Sequence, residues 1–329
     1  MRGKIQKKIQ KKIDMLLSLV IIVILLPLFV TIIGQRMQLE ELIYGDAQQV
    51  IDETVTERST EGDGAGNSSV EAGIDAAEIE QQLVGIVAKE ISADAHEEAL
   101  LAQCVIARTN LYDAKTRKSA EPEALNVEEM RALWGEQFEE CYERLKLCVE
   151  HTEGEVLMWN GSYAYAAYHA ISAGSTRDMA ELYSEAKMPY LKAQVCEADV
   201  VAEGYLSVSY LEKEEFAEAC NRLFAGSGVK NTEDVVIETR DTAGYVTAMK
   251  VGAVTCDGEA FREGFGLNSA CFAISEIDER VRIVTKGLGH GFGLSQHTAN
   301  KMAEEGGSYR EILTYFFPGT ELCNVSDGK

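Results

Sequence analysis

The stretch EVLMWNGSYAYAAYH, Glu155 to His169, marks the point where the chain changes from helical to strand-like patterns. Asn160-Gly161 separates two runs rich in aromatic and aliphatic side chains. This dipeptide between such runs is the strongest short-range signal of a two-residue β-hairpin. The stretch therefore predicts two antiparallel strands joined by a tight turn.

The segments on either side of this hairpin carry mostly helical patterns. Before it, residues 79–118 show helical spacing with a break at Ser92-Ala93-Asp94, where Ser92 resembles a helix start, and residues 128–149 read as one amphipathic helix. After it come weaker strands at 208–211 and 235–238, a strand or hairpin at 244–254, and helices at 212–223, 295–305 and 309–316. Helices first, strands in the middle and helices last predict an α+β domain rather than a doubly wound sheet.

The N-terminal segment has a different composition. Residues 1–14 are basic, and Met15 to Gly34 is a 20-residue run without a charged side chain. At about 1.5 Å per residue, such a run spans a hydrocarbon core of roughly 30 Å. We interpret residues 15–34 as a retained membrane anchor with its basic end in the cytoplasm. Residues 35–78 are interpreted as a juxtamembrane segment and flexible acidic linker, and residues 79–329 as one extracytoplasmic domain.

The charge of the chain restricts its partners. The net charge is −23, and without residues 1–36 the chain has 24 basic and 53 acidic residues, a net of −29. A body this acidic repels nucleic acid and anionic lipid, so we expect neutral or cationic partners. The simpler explanation of the charge is a solvated acidic surface that keeps the protein soluble. The eight cysteines include no C-x-x-C pair. The spacing of Cys141 and Cys148 suits a buried helix face as well as a metal, and no zinc signature is present. We predict neither a metal nor a cofactor.

A loop near the C-terminus, GLGHGFGLSQ from Gly287 to Gln296, places glycine at every second position around His290. Neither phosphate-loop spacing is present. Alternating glycines leave one side of an extended segment without Cβ atoms, so that a ligand or another backbone can come close. The loop is equally well explained as a tight corner packed against the protein itself, with His290 hydrogen-bonded internally.

Two further segments carry candidate functional groups. Glu90 ends an apolar helix just before the break, so its carboxyl can project into a cleft, where partial burial would raise its pKa toward that of a general acid. Taken alone, a glutamate at the end of a helix is more often just a solvated side chain. The small-residue turn from Ser172 to Thr176 offers amides and hydroxyls suited to sugars, although an ordinary turn looks the same.

The order of these motifs resembles one family. VAKE (87–90), A-L-x-A-Q-x-x-x-A-R-T (99–109), Y-H-x-x-S-x-G-x-T (168–176), P-Y-L-K (189–192) and G-H-G-x-G-x-S-Q (289–296) are followed by M-A-x-x-G-x-x-Y (302–309). The series is similar to the stage II sporulation protein D family, which also includes amidase enhancers. The resemblance extends from about Leu83 to Gly319, and a membrane anchor fits it.

The resemblance implies a lytic transglycosylase of peptidoglycan. Glu90 matches the glutamate that protonates the glycosidic oxygen between N-acetylmuramic acid and N-acetylglucosamine and then helps the muramic 6-hydroxyl to close on C1. One carboxyl suffices because the nucleophile belongs to the substrate. The resemblance assigns the remaining motif residues to glycan binding: Gln103, Arg108, Ser172, Gly174, Thr176, Tyr190, Lys192, His290, Gly291, Gly293, Ser295 and Gln296. On this interpretation, the glycines let a flat sugar chain lie against backbone.

The chain departs from the family pattern at several positions. Leu101 stands where many members have lysine, Ala173 replaces a turn glycine, and His297-Thr298 replaces Tyr-Gly. Some members bind zinc through Cys and His near the turn, but no cysteine lies between 149 and 195 here. The expected partners are glycan strands stripped of peptides, a peptidoglycan amidase and a membrane protein of the engulfment machinery. The departures favour one alternative, a peptidoglycan-binding module that stimulates an amidase without cleaving. A third alternative, a membrane-tethered scaffold without affinity for sugars, would leave the cleft motifs without a purpose.

Overall fold

The computed structural model describes residues 75–182 and 188–325. The anchor at 15–34 and most of the linker at 35–78 lie outside these residues. Among the helices that are described, none combines the length and apolar character needed to cross a membrane.

The N-terminal half of the described chain is helical, as its spacing predicts. Helix α1 (Ala76–Glu90) begins at the cap Asp75, and α2 (Glu97–Arg117) begins at His96, whose ring accepts a hydrogen bond from the Glu98 amide. The prediction that Ser92 starts the second helix is therefore wrong. The Ser92 hydroxyl instead accepts from the Asp94 amide within the break between the helices.

The region expected to form one helix at 128–149 contains two. Helix α3 (Val127–Trp134) is followed by a single 3-10 turn (Gly135–Gln137) and then by α4 (Phe138–His151). Gly135 has a φ of 53°, outside the right-handed helical region, so it interrupts the helix. Apolar periodicity continues across the break, which explains why the sequence pattern did not reveal it.

The predicted hairpin is present. Strands β1 (Glu155–Trp159) and β2 (Ser162–Tyr163) pair antiparallel around Asn160 and Gly161, which both have positive φ, 49° and 75°. The last strand of the described chain, β11 (Glu321–Asn324), pairs with the other edge of β1. These elements share one hydrophobic core with α1, α2, α4 and two C-terminal helices, α8 (Gln296–Glu304) and α9 (Tyr309–Phe316).

A second hydrophobic core is built from the middle of the chain. Helices α6 (Lys213–Leu223) and α7 (Gly258–Phe265) contribute Phe216 and Phe261 to it. One sheet has the order β4 (Leu206–Glu212), β9 (Arg280–Lys286) and β8 (Phe272–Ile277), and another has the order β5 (Val235–Arg240), β6 (Val246–Val251) and β7 (Val254–Cys256). The α+β class is therefore confirmed, although the hairpin of β8 and β9 and helix α7 were not predicted.

A short parallel pairing connects the middle of the chain to its end. Strand β3 (Tyr168–His169) pairs with β10 (Leu294–Ser295), so that His169 lies beside Ser295. A one-turn helix, α5 (Met179–Leu182), follows β3. Strand β10 runs directly into α8. The pairing of β3 with β10 therefore places the start of α8 next to the end of α1.

Candidate functional site

Glu90 is the last residue of α1 and is almost completely buried, with 7 % of its surface exposed. The side-chain amide of Gln103, on α2, donates a hydrogen bond of 2.7 Å to its Oε2. Burial raises the pKa of Glu90 to about 7, against smaller lowering effects of Gln103, Tyr168 and Lys89. Such a carboxyl holds its proton near neutral pH and can lend it to a neighbouring group.

Gln296, the first residue of α8, closes the site from the C-terminal side. Its side-chain amide donates to the Glu90 carbonyl oxygen at 2.8 Å and to the Gln103 Oε1 atom at 3.3 Å. The cap of α8 is Ser295, whose hydroxyl accepts from the Thr298 amide. The structure thus brings together Glu90, Gln103 and Gln296, three residues that the motifs predicted from separate parts of the sequence.

Tyr168 is the half-buried member of the site. Its side chain hydrogen-bonds to Glu90 and lowers the pKa of that carboxyl, in opposition to burial. The imidazole of His290 hydrogen-bonds to the backbone of Tyr168 and also accepts at Nδ1 from the Phe292 amide, at 3.1 Å. Burial lowers the pKa of His290, so its ring is neutral. His290 therefore supports Tyr168 rather than titrating itself.

Asp199 is a buried acidic residue that connects the turn containing Ser172 to the start of α8. It accepts hydrogen bonds of 2.7 Å from the Ser172 amide, the Ser295 hydroxyl and the Thr298 hydroxyl. His169 lies near it, and burial lowers the pKa of His169 to about 4. Hydrogen bonds from charged groups are the stronger ones in proteins, so Asp199 fixes the start of α8 against the turn that contains Ser172.

The four glycines of the Gly287 to Gln296 loop all have positive φ and pack against the protein itself. A Cβ atom on Gly289 would lie 2.7 Å from the His169 Cβ, and one on Gly293 would lie 2.0 Å from the Ala167 carbonyl oxygen. At Gly291 it would lie 2.5 Å from the Tyr245 ring. These contacts match the second interpretation of the loop, a tight internal corner, and not a sugar-facing surface.

Arg177 connects this corner to the second hydrophobic core. Its buried guanidinium pairs with Asp241 at 2.6 Å and with Glu259 at 2.8 Å, and it donates to the His290 carbonyl at 3.2 Å. It also lies over the rings of Tyr245 and Phe292. The two paired carboxylates compensate the buried charge and fix the loop that carries His290.

Arg108 lies apart from the site, contrary to its predicted role. Its guanidinium is fully buried and forms a two-point ion pair with Glu80, at 2.7 and 2.9 Å. The remaining donors contact the Thr152 hydroxyl and the carbonyl oxygens of Val149 and Glu155. With every donor occupied inside the protein, Arg108 stabilises the packing of α1, α2 and α4 and is not placed to contact a glycan.

Most other predicted glycan-binding residues are also interior. Thr176 is buried and exchanges hydrogen bonds with Lys192 and Gln194, and the Tyr190 hydroxyl accepts from the Tyr165 amide at 2.9 Å. Ser172 is buried and caps its own turn by accepting from the Gly174 amide. The side chain of Lys192 is exposed and Gly174 is half-buried. These residues shape the turn, and only Lys192 and Gly174 offer much surface to a ligand.

Sequence reasoning missed three residues that the geometry makes central. Tyr168 lies within the Y-H-x-x-S motif, which was the available signal. Asp199 lies in a short 3-10 helix (Glu197–Val201) and matches no motif. Arg177 directly follows the small-residue turn, but its carboxylate partners are 64 and 82 residues away in sequence. The described residues contain no group of three or more His, Cys, Asp or Glu side chains arranged to hold a metal ion.

Comparisons with known proteins agree with the order of the motifs. A family model described as "Stage II sporulation protein" matches residues 68–159. Stage II sporulation protein D of Bacillus subtilis (strain 168) is 30% identical over 262 residues, which cover 75% of each chain. The protein of that name from Bacillus amyloliquefaciens is 27% identical over 263 residues, 75% of this chain and 74% of the relative. The "Amidase enhancer" of Bacillus subtilis (strain 168) is 26% identical over 293 residues, 74% of this chain and 40% of the relative.

Proposed function

Since the chain belongs to the stage II sporulation protein D family, we propose that it is a lytic transglycosylase that remodels peptidoglycan during sporulation. This proposal depends mainly on the burial and the raised pKa of Glu90. Its carboxyl is buried, hydrogen-bonded to Gln103, and has a pKa raised to about 7. A single carboxyl of this kind suits a reaction whose nucleophile comes from the substrate.

In the proposed reaction, the protonated Glu90 donates its proton to the glycosidic oxygen between N-acetylmuramic acid and N-acetylglucosamine. The C1–O bond breaks, and the resulting carboxylate accepts the proton of the muramic 6-hydroxyl as that oxygen bonds to C1. The products are a 1,6-anhydro end and a free 4-hydroxyl on the leaving sugar, and Glu90 is again protonated. Gln103 fixes the carboxyl group by donating a hydrogen bond to its Oε2 atom.

The residues around Glu90 have distinct roles in this proposal. Tyr168 is the half-buried hydroxyl nearest the acid and would contact the sugar at the cleavage point. Lys192, which is exposed, remains a proposed glycan-binding residue. His290, Gly291, Gly293 and Ser295 act indirectly, because they fix the corner that positions Tyr168 and Gln296.

The test is cleavage of peptide-free glycan strands by the full chain, with 1,6-anhydro products detected by mass spectrometry. We expect Glu90→Gln to lower the rate at least a thousandfold, because it removes the only proposed proton donor. Glu304→Gln is the matched control, since Glu304 also ends a helix but lies outside the site. Absence of product from the unmodified chain, or equal product from Glu90→Gln, rules out the proposed activity.

The similarity to a protein named amidase enhancer favours a second candidate function, in which the chain binds peptidoglycan and stimulates an amidase without cleaving glycan. In that case, sedimentation with cell-wall sacculi and stimulation of the amidase are both unchanged in Glu90→Gln. The two functions are separated by the cleavage assay, because only the first one generates anhydro ends.

The proposed setting follows from the N-terminal sequence. We propose that residues 15–34 anchor the chain in the membrane, with the basic residues 1–14 in the cytoplasm and the glycan-cleaving body outside. The proposed protein partners are a peptidoglycan amidase and a membrane protein of the engulfment machinery. The acidic body disfavours nucleic acid as a partner.

A further inference from the structure

The sheet formed by β4, β9 and β8 is covered on one face only. Val281 and Ile283 point into the second hydrophobic core together with Phe216. On the opposite face, Leu206, Val208 and Tyr210 are 59%, 48% and 49% exposed. Alternate residues of a strand lie on the same face, so these three side chains form one apolar row. Isolated apolar residues are common on surfaces, but a continuous row on one strand marks a site of interaction.

A basic row lies beside this apolar row. Strand β9 pairs Lys286 with Leu206, Arg282 with Tyr210, and Arg280 with Glu212, which places the three cations on the uncovered face. None of them has an acidic partner within 4.0 Å in the part of the chain that the structure describes. The Arg280 guanidinium lies 5.1 Å from the Tyr210 ring centroid. We call this surface the open sheet face; its residues are Leu206, Val208, Tyr210, Arg280, Arg282, Val284 and Lys286.

The charges and the unpaired strand edge of the open sheet face restrict the class of molecule that can bind there. Three cations without ion-pair partners stand out on a chain with a net charge of −23. In the described residues β4 pairs only with β9, so its other edge presents backbone groups that another strand can pair with. Phosphates could neutralise the cations, and neutral sugars could only hydrogen-bond to them, but both would leave Leu206 and Val208 exposed to water. A protein surface can satisfy the apolar row, the cations and the strand edge together.

We propose that the open sheet face binds a protein partner through a contact surface that combines apolar side chains with carboxylates. The open sheet face is the outer face of the sheet that packs against the second hydrophobic core, and it shares no residue with the Glu90 site. As the probe we take the peptidoglycan amidase of the same organism, and this choice rests on the proposed function. Apolar contact supplies affinity, whereas the cations contribute rate of association and specificity.

Two variants of the full chain test the surface by different physical changes. Val208→Asp places a charge in the apolar row, and the double variant Arg280→Glu and Arg282→Glu reverses the basic row. Val236→Asp is the matched control, because Val236 is 49% exposed on the edge strand β5 of the other sheet. The dissociation constant for the purified amidase is measured by biolayer interferometry at several salt concentrations, with thermal melting as a check of folding.

We expect both test variants to weaken amidase binding at least about tenfold, while Val236→Asp binds as the unmodified chain does. The salt dependence of binding should disappear in the charge-reversed variant. Cleavage of peptide-free glycan, assayed on the same preparations, should be unchanged, which separates failure of this surface from failure of the proposed activity. No binding of the amidase to the unmodified chain overturns the proposal. Equal affinity of Val208→Asp and Val236→Asp, or loss of binding to sacculi in place of the amidase, overturns it as well.

Discussion

The protonation of Glu90 depends on a balance between burial, which raises its pKa, and hydrogen bonds, which lower it. Among the groups that lower it, Gln103 is itself fully buried and Tyr168 is half-buried. Of the two side chains that hydrogen-bond to Glu90, Tyr168 is therefore the one that can change this contact without opening the core when a ligand arrives. The acidity of the site is thus adjustable from its solvent side.

The raised pKa has a consequence for stability. A glutamate whose folded-state pKa lies above its unfolded value stabilises the fold below the unfolded pKa, and this contribution is lost as the pH rises through the folded value. For Glu90 the window runs from about 4.5 to about 7. Relative to Glu90→Gln, the free energy of unfolding should therefore fall by on the order of 3 kcal/mol between pH 4 and pH 8. Urea denaturation of both proteins at the two pH values measures this change. If the difference in the free energy of unfolding between the two proteins were the same at both pH values, burial of an ionisable Glu90 would be contradicted.

Replacing Tyr168 should shift the same balance toward a higher pKa of Glu90. Tyr168→Phe removes a hydrogen bond that lowers the pKa of Glu90, so the pKa should rise. The proposed glycan cleavage requires the protonated acid, so its rate should fall as the pH rises through about 7. In Tyr168→Phe, this decline should move to higher pH, with a maximal rate lowered about tenfold. A lowered rate with an unshifted pH profile would show that the tyrosine acts on the substrate alone.

At the scale of elements, the glycine corner is held by close contacts. Gly291→Ala would bring a Cβ to 2.5 Å from the Tyr245 ring at a φ of 84°, so we expect a loss of about 3 kcal/mol in the free energy of unfolding. Gly319→Ala is the control, because Gly319 has a φ of 88° and no atom within 4 Å of the added Cβ. It should lose only about 1 kcal/mol, the cost of the backbone conformation alone. Denaturant unfolding of the two variants measures the difference, and equal losses would mean that contact with Tyr245 contributes nothing.

Local sequence patterns predicted most helices and the first hairpin, whereas features that depend on long-range contacts were missed. The hairpin at Asn160-Gly161 and the helix Tyr309–Phe316 follow from turn chemistry and apolar spacing, and both are present. The break at Gly135 was missed because apolar spacing continues on both sides of it. The hairpin of β8 and β9 was missed because β9 alternates with cations, so its buried face is not evident from composition.

The functional site shows the same division between residues predicted from local patterns and residues fixed by long-range contacts. Glu90 was predicted from the end of a helix and from the resemblance, and its neighbours Gln103 and Gln296 from motifs. The misplacement of Arg108 has a physical cause, because an arginine in a helix can face a cleft or a buried glutamate, and nothing in its own segment reveals Glu80. Asp199 could not be predicted, since its three partners come from two segments far from it in sequence.

At the scale of the whole molecule, Arg177 joins the two hydrophobic cores through buried ion pairs. Asp241→Asn removes one of its two carboxylate partners and should lower the free energy of unfolding by about 3 kcal/mol. The control is Glu238→Gln, which breaks the exposed pair with Lys250 and should cost less than about 1 kcal/mol. Thermal denaturation compares them. A destabilisation by Asp241→Asn no larger than that of the control would show that Arg177 does not hold the cores together.

The contact between Gln296 and Glu90 joins residues 206 positions apart in the sequence. A ribosome that adds about 5–20 residues per second therefore synthesises Glu90 roughly ten seconds or more before the segment that completes its surroundings. During that interval, the end of α1 lacks its contact with Gln296, and β3 lacks its pairing with β10. The proposed site is therefore complete only after translation has passed α8.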